Sequence, residues 1–262
     1  DAIVLISLNA SKEHLSGSLA KYAEPLEAYK QANHSFDKEG GVIPLINNAA
    51  KRLVYSPVGA VNRDYDDVRR FSEAAFKGIK SALSAGAKNP LVVLPTGNGL
   101  QNYSLFDAAT ILGAYYALYV PLEIREAIPS KSKKLDSINF TNFASTERTQ
   151  STYRLANAIE SGRSVARDIG GSDPERMAAP NVAVYVQQLF QNSAVKVNVI
   201  SDIKLLEKDY PCFGAVNRAS VDRHQARAIF LSYEPTEKAT KTLIFVGKGV
   251  TYDTGGADIK AG

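Results

Sequence analysis

Short apolar runs alternate with segments of helical periodicity through the first half of the 262-residue chain, and this alternation most constrains the fold. The apolar runs cover residues 3–8, 53–58 and 91–94, and Gly, Pro or Asn residues bound them, as is typical of buried strands. Residues 137–143 alternate in polarity and predict a further strand. Because strands and helices take turns along the chain, the pattern predicts an α/β fold with a mostly parallel sheet.

Two helices are predicted between these strands. The first carries one apolar stripe at helical spacing, formed by Phe71, Ala75, Phe76, Ile79 and Leu83. It is predicted to begin near residues 64–67, where acidic side chains suit the positive end of the helix dipole. Residues 105–119 are apolar almost all round, which predicts a second helix that is buried on both sides.

A long helix is predicted over residues 145–169, which contain no proline and a single glycine. Pro174 follows shortly after its end, and the α/β pattern then restarts with a helix at Pro180. Strands are predicted at residues 195–200 and 226–233, and the fully apolar run 243–246 predicts a central strand. We therefore predict two domains: an N-terminal α/β domain at 1–150, then the connecting helix and the first part of a second domain at 151–262.

Composition argues against several classes of protein. A net charge of +4, with scattered basic residues, argues against nucleic-acid binding. The longest apolar run, residues 108–120, is shorter than the roughly 18 residues of a membrane span, so we expect no membrane insertion. The single cysteine, Cys212, excludes an intramolecular disulfide and suits a cytoplasmic location.

The loop that follows residues 243–246 is rich in glycine, lysine and aspartate. Ligand sites in open α/β sheets form at the C-terminal ends of strands, so this position suits a site. A dinucleotide-binding fingerprint is excluded because Tyr252 stands where its third glycine belongs, and a P-loop is excluded because Thr242 and Gly249 occupy two of its fixed positions. The three histidines are isolated, and no His-Glu-x-x-His motif is present.

Residues 247–260 are similar to a signature of the leucyl, or cytosol-type, aminopeptidase family. That signature runs Gly-Lys-Gly, two residues, an aromatic residue, Asp, Ser or Thr, Gly-Gly, three residues and Lys. Nine positions match it: Gly247, Lys248, Gly249, Tyr252, Asp253, Thr254, Gly255, Gly256 and Lys260. Pro174 and Pro180 also match two family prolines, whereas Arg176 replaces the usual Asn and Met177 comes one position early, which indicates a divergent member.

The resemblance implies a macro-like N-terminal α/β domain, a long connecting helix and the start of an α/β two-metal exopeptidase domain. It implies two divalent metal ions, zinc with manganese or magnesium at one site. Lys248, as the neutral amine, and the hard carboxylate of Asp253 would be metal ligands. Lys260, as the cation, would stabilise the oxyanion that develops on the substrate carbonyl.

The function that follows from the resemblance is an aminopeptidase that releases N-terminal, mainly hydrophobic, residues from peptides with a free N-terminus. A homohexamer in the cytoplasm is expected. The family's remaining ligands lie downstream of residue 262, so we expect this stretch alone to be inactive. Two alternatives stay open: a catalytically silent family member that acts as a binding or structural oligomer, and a nucleotide- or nucleic-acid-binding role for the N-terminal domain.

Overall fold

The computed structural model describes residues 1–9, 15, 17–96, 100, 103–142 and 146–251. The chain forms two compact units, Asp1–Ala166 and Arg167–Gly262. The division between them falls within a helix that spans Thr146–Gly170, the same predicted helix in which we placed a domain boundary.

The first unit contains a five-stranded sheet with the order β2-β3-β1-β4-β5. Its strands are β1 (Ala2–Ser7), β2 (Gly41–Pro44), β3 (Arg52–Pro57), β4 (Pro90–Val93) and β5 (Asn139–Thr141). Parallel pairing joins β1 to β3 and β4 and joins β4 to β5, whereas β2 runs antiparallel to β3. The predicted α/β class with a mostly parallel sheet is confirmed. Strand β2 was not predicted, because four residues that begin with Gly and end with Pro are too short to display a period.

Six α-helices accompany this sheet in the described residues of the first unit. They are α1 (Ala23–Ala32), α2 (Phe36–Glu39), α3 (Arg69–Ser84), α4 (Phe106–Leu118), α5 (Leu122–Ala127) and α6 (Thr146–Gly170). The predicted stripe on α3 is confirmed, since Phe71, Ala75 and Ile79 are fully buried. Among the helices in the described ranges, none combines the length and the apolarity that crossing a membrane requires.

The sheet is buried on both faces. Val4 and Ile6 of β1 belong to a core cluster that includes residues of α3 and α4. Leu5 of the same strand belongs to a second cluster, with Leu26 of α1 and Phe36 of α2. Because successive side chains of a strand point to opposite faces, β1 supplies both clusters, and the unit has three layers.

The helices α3 and α4 approach each other closely at Gly113. A Cβ atom placed on Gly113 would lie 2.1 Å from the backbone oxygen of Ser72 in α3. Such a distance is impossible between real atoms, so the helix contact requires glycine at this position.

The C-terminal end of α4 is capped by Lys134. The Lys134 ammonium donates hydrogen bonds to the carbonyl oxygens of Ala117 (2.9 Å) and Tyr119 (2.8 Å).

The Asp66 carboxylate organises part of the segment between β3 and α3. The Asp66 side chain is 1% exposed, and its carboxylate accepts hydrogen bonds from the backbone N–H groups of Asn62 (3.2 Å) and Arg63 (3.1 Å). The Arg63 guanidinium donates to the same carboxylate at 2.7 Å. The hydrogen bond from Arg63 is the main reason that the pKa of Asp66 lies well below its ordinary value.

The second unit contains an antiparallel pair of strands, β6 (Val195–Ile200) and β7 (Ala228–Tyr233). Its described helices, apart from the last turn of α6, are α7 (Ala179–Phe190), α8 (Ile203–Asp209) and α9 (Pro211–Asn217). The predicted strand at residues 195–200 is confirmed, and the strand predicted at 226–233 begins two residues later.

The prediction of a central strand at residues 243–246 is wrong for this structure. These residues have no regular secondary structure, and the exposed fraction of their side chains rises from 75% at Leu243 to 95% at Val246. A strand exists only where a neighbouring strand accepts and donates its backbone hydrogen bonds. Within the described part of the second unit, β6 and β7 pair with each other and neither pairs with this segment.

We expect Gly113→Ala to destabilise the first unit, because its methyl group would force α3 and α4 apart. Overpacking of this kind costs about 1–3 kcal/mol. Gly162→Ala is the matched control: Gly162 lies in α6, within the same unit, and an added Cβ would meet no atom within 4 Å. The free energy of unfolding of the control should rise by about 0.5–1 kcal/mol, because alanine has a higher helix propensity than glycine. Urea denaturation of both variants measures the difference, and equal effects of the two substitutions would contradict the close contact.

We expect Asp66→Asn to destabilise the protein at neutral pH, because the ionised carboxylate holds the segment before α3. Since the folded-state pKa of Asp66 is depressed, its stabilising effect is present above the ordinary Asp pKa of about 4 and is lost as the pH falls further. The melting temperatures of the wild type and the variant should therefore converge on acidification. Asp64→Asn, at an exposed position of the same segment, is the control and should not reproduce this pH dependence.

Candidate functional site

The predicted site residues lie at the end of the chain, and the structure describes one of them. Lys248 is exposed and belongs to a segment without regular secondary structure. Asp253 and Lys260 lie outside the described residues. The structure therefore does not test whether the three side chains come together, and their grouping stays a prediction.

The two glycines that flank Lys248 have open surroundings. A Cβ atom on Gly247 or Gly249 would meet no described atom within 4 Å. Neither glycine is required by packing against the described residues, in contrast to Gly113. Packing against the described residues therefore does not explain why the signature has glycine at positions 247 and 249.

The described residues contain no group of three or more His, Cys, Asp or Glu side chains that could hold a metal ion. Of the two predicted metal ligands, only Lys248 is described. A single amine cannot hold a metal ion in a defined geometry, because structural and catalytic sites use at least three protein ligands. The assignment of Lys248 and Asp253 as ligands rests on the sequence signature.

The second unit contains an exposed ion-pair cluster that the sequence analysis did not predict. The Glu175 carboxylate accepts two hydrogen bonds from the Arg223 guanidinium, at 2.7 Å and 3.2 Å, and the His224 Nε2 atom lies 3.0 Å from it. The Arg223 hydrogen bond is the main cause of the lowered pKa of Glu175. This contact gives His224 a structural partner. No sequence signal could reveal this ion-pair cluster, because Glu175 and Arg223 are 48 positions apart in the chain.

The beginning of the second unit is organised by two aspartates. The Asp173 carboxylate accepts hydrogen bonds from the backbone N–H groups of Glu175 and Arg176, at 2.9 Å and 3.2 Å. Asp168, which is 4% exposed, accepts a hydrogen bond of 2.8 Å from the Tyr185 hydroxyl of α7. Pro180 lies in the first turn of α7, as the sequence predicted. These contacts fix the segment that contains the two family prolines.

Comparison with known proteins connects this unit to one family. The model of the cytosol aminopeptidase family, catalytic domain, matches residues 164–262. A Caenorhabditis elegans protein that is provisionally named as an aminopeptidase is 43% identical over 213 residues, which cover 80% of this chain and 40% of that protein.

Two solved structures share the fold. A mutant of tomato leucine aminopeptidase superposes with a TM-score of 0.67 at 16% identity, over 92% of this chain and 49% of that chain. The bottromycin maturation enzyme BotP in complex with Mn superposes with a TM-score of 0.65 at 17% identity, over 90% of this chain and 46% of that chain. At such low identity, these two likenesses show the fold alone.

The chain spans less than half of the length of each of these three relatives. The family match covers the whole second unit, including the signature at residues 247–260. The structural likeness extends over both units. The chain therefore belongs to the cytosol, or leucyl, aminopeptidase family, of whose members it covers an N-terminal part.

Proposed function

We propose that the protein to which this chain contributes is a metal-dependent leucyl-type aminopeptidase. It would release N-terminal, mainly hydrophobic, residues from peptides with a free N-terminus. The observation that carries this proposal is the nine-position signature at residues 247–260, within the region that the family model matches. The name of the Caenorhabditis elegans relative supports aminopeptidase activity in general, and the preference for hydrophobic residues rests on the family signature.

Each of the three candidate residues has a role that suits its chemistry. Lys248 would bind one metal ion through its neutral amine, and Asp253 would bind through a carboxylate that can bridge two ions. Two divalent ions, zinc with manganese or magnesium at one site, would supply an activated water and a polarised carbonyl. The manganese in the BotP structure supports manganese as one of them. Lys260 would remain cationic and stabilise the oxyanion.

The wider setting of this activity is also a proposal. The family description supports a cytoplasmic location, and the expected assembly is a homohexamer that acts on peptides. The catalytically silent alternative, a family member that serves as a binding or structural oligomer, would keep the assembly and lack turnover. Metal content and turnover of the longer protein distinguish the two possibilities.

Substitution of the two lysines should separate metal binding from chemistry in a protein of the relatives' full length. We expect Lys260→Ala to retain its metal and to lose about 10²–10³-fold in kcat for leucine amide, because an oxyanion-stabilising group is removed. Lys248→Ala should lose bound metal, as measured by atomic absorption. Lys241→Ala, at an exposed lysine outside the signature, is the control and should change neither quantity.

Two results would contradict these roles. A Lys260→Ala variant with near-normal turnover would refute the oxyanion role of that lysine. A zinc- or manganese-loaded wild-type protein that releases no leucine from leucine amide would refute the aminopeptidase proposal and favour the silent member.

The 262-residue stretch alone should release no leucine from leucine amide in the presence of zinc or manganese. The physical reason is that the two predicted ligands, Lys248 and Asp253, cannot by themselves hold two metal ions in a defined geometry. A coupled assay for free leucine, with the longer protein as the positive control, measures this. Metal-dependent turnover by the 262 residues would show that they contain a complete site.

A further inference from the structure

A cleft of about 450 Å³ lies in the first unit, between β5 and the first turns of α6. One wall consists of the five consecutive residues 138–142, which contain β5. The other wall consists of Thr149, Gln150, Tyr153 and Arg154 of α6, which are spaced so that they share one face of the helix. The cleft lies outside the part of the chain that the family model matches.

The cleft follows the edge of the sheet. Successive side chains of a strand point to opposite faces, so a cavity that touches all five residues of this wall must lie along the edge and not on one face. In the part of the chain that the structure describes, β5 pairs with β4 on one side and is the outermost strand on the other. A strand edge therefore forms one side of the cleft.

The direction of the backbone groups identifies what this edge offers. The carbonyl oxygen of Thr141 accepts a hydrogen bond of 2.9 Å from the Leu94 N–H, so the peptide groups of Thr141 face β4. Neighbouring residues of a strand direct their peptide groups to opposite sides. The N–H and C=O of Phe140 therefore face away from β4, at the outer edge that the cleft follows.

Aromatic contacts support the position of Phe140. Its ring packs edge-on against Tyr115, with ring centroids 5.6 Å apart, and lies 6.3 Å from the ring of Tyr153. Burial, with Tyr153 as a neighbour, raises the pKa of the Tyr115 hydroxyl. These contacts connect the strand wall to the helix wall, so the cleft is formed before any partner arrives.

We propose that this cleft binds an extended peptide segment that pairs with the outer edge of β5 and directs a carboxylate to Arg154. An exposed strand edge is complementary to another extended backbone, and added strands of this kind are a common mode of peptide recognition. The amides of Asn139 and Gln150 both donate and accept hydrogen bonds, as peptide groups do. The wall of residues 138–142 has room for about five residues of an extended chain.

Charge decides between a peptide and a nucleic acid. Among the described residues that line the cleft, Arg154 alone is charged. Binding of a nucleic-acid strand requires several cations, because each bound phosphate must be neutralised. One guanidinium suits one carboxylate, with which it forms a charge-assisted and often bidentate pair.

The test uses an acetylated, fluorescein-labelled peptide of alternating Thr and Glu, eight residues long. Acetylation removes the free N-terminus, so binding is independent of any aminopeptidase activity. We expect saturable binding by fluorescence anisotropy and slower hydrogen exchange of the Phe140 amide. Arg154→Glu should weaken binding about tenfold or more. Arg163→Glu is the matched control, since it makes the same charge change at an exposed position of α6 outside the cleft, and it should leave binding within about twofold.

Two further probes make the proposal refutable. A peptide of the same sequence with an N-methyl group on every backbone nitrogen should fail to bind, because neither of its edges can donate hydrogen bonds to a strand edge. Equal binding of the methylated peptide, or equal losses in Arg154→Glu and Arg163→Glu, would overturn the proposal. So would displacement of the peptide by a short oligo-dT strand at lower concentration, which would indicate a nucleic-acid site.

Discussion

In the first unit, β1 is covered on both faces, and the arrangement of the other elements follows from this requirement. Val4 and Ile6 pack towards α3 and α4, whereas Leu5 packs towards α1 and α2. Burial of each such side chain stabilises the fold by about 1.5–3 kcal/mol, so leaving either face open would be costly. To cover one face with two helices, α3 and α4 must approach closely, and Gly113 permits that approach.

The two edge strands of the same sheet, β2 and β5, have different surroundings. On one side, the short antiparallel strand β2 ends the sheet, and its last residue is Pro44, which cannot donate a backbone hydrogen bond to a further strand. On the other side, β5 is flanked by α6, and the space between strand and helix remains a cleft lined by both polar and apolar side chains. An edge within a cleft is shielded from indiscriminate pairing and still accessible to an extended segment of suitable chemistry.

The second unit lacks such a layered core in its described part. Its sheet has two strands, and apolar side chains such as Leu231 and Tyr233 of β7 are more than half exposed. The apolar segment 243–246 is more exposed still. Side chains that are this exposed gain little from the hydrophobic effect. Local hydrogen bonds, such as those of Asp168 and Asp173, hold the beginning of this unit in place.

The sequence by itself predicted the elements whose pattern is visible within one segment: the apolar runs of β1, β3 and β4, the strands β5, β6 and β7, and the helices α3, α4, α6 and α7. It also determined the family, because the nine signature positions at residues 247–260 are close in the chain. The candidate site remains a sequence-based assignment, since Lys248 alone of its three residues is described. Only the tertiary structure decided the order of the strands, the Glu175–Arg223 pair and, among the described residues, the lack of a pairing strand for residues 243–246. Each of these depends on partners far away in the sequence, and an apolar run carries no information about whether a neighbouring strand is there to pair with it.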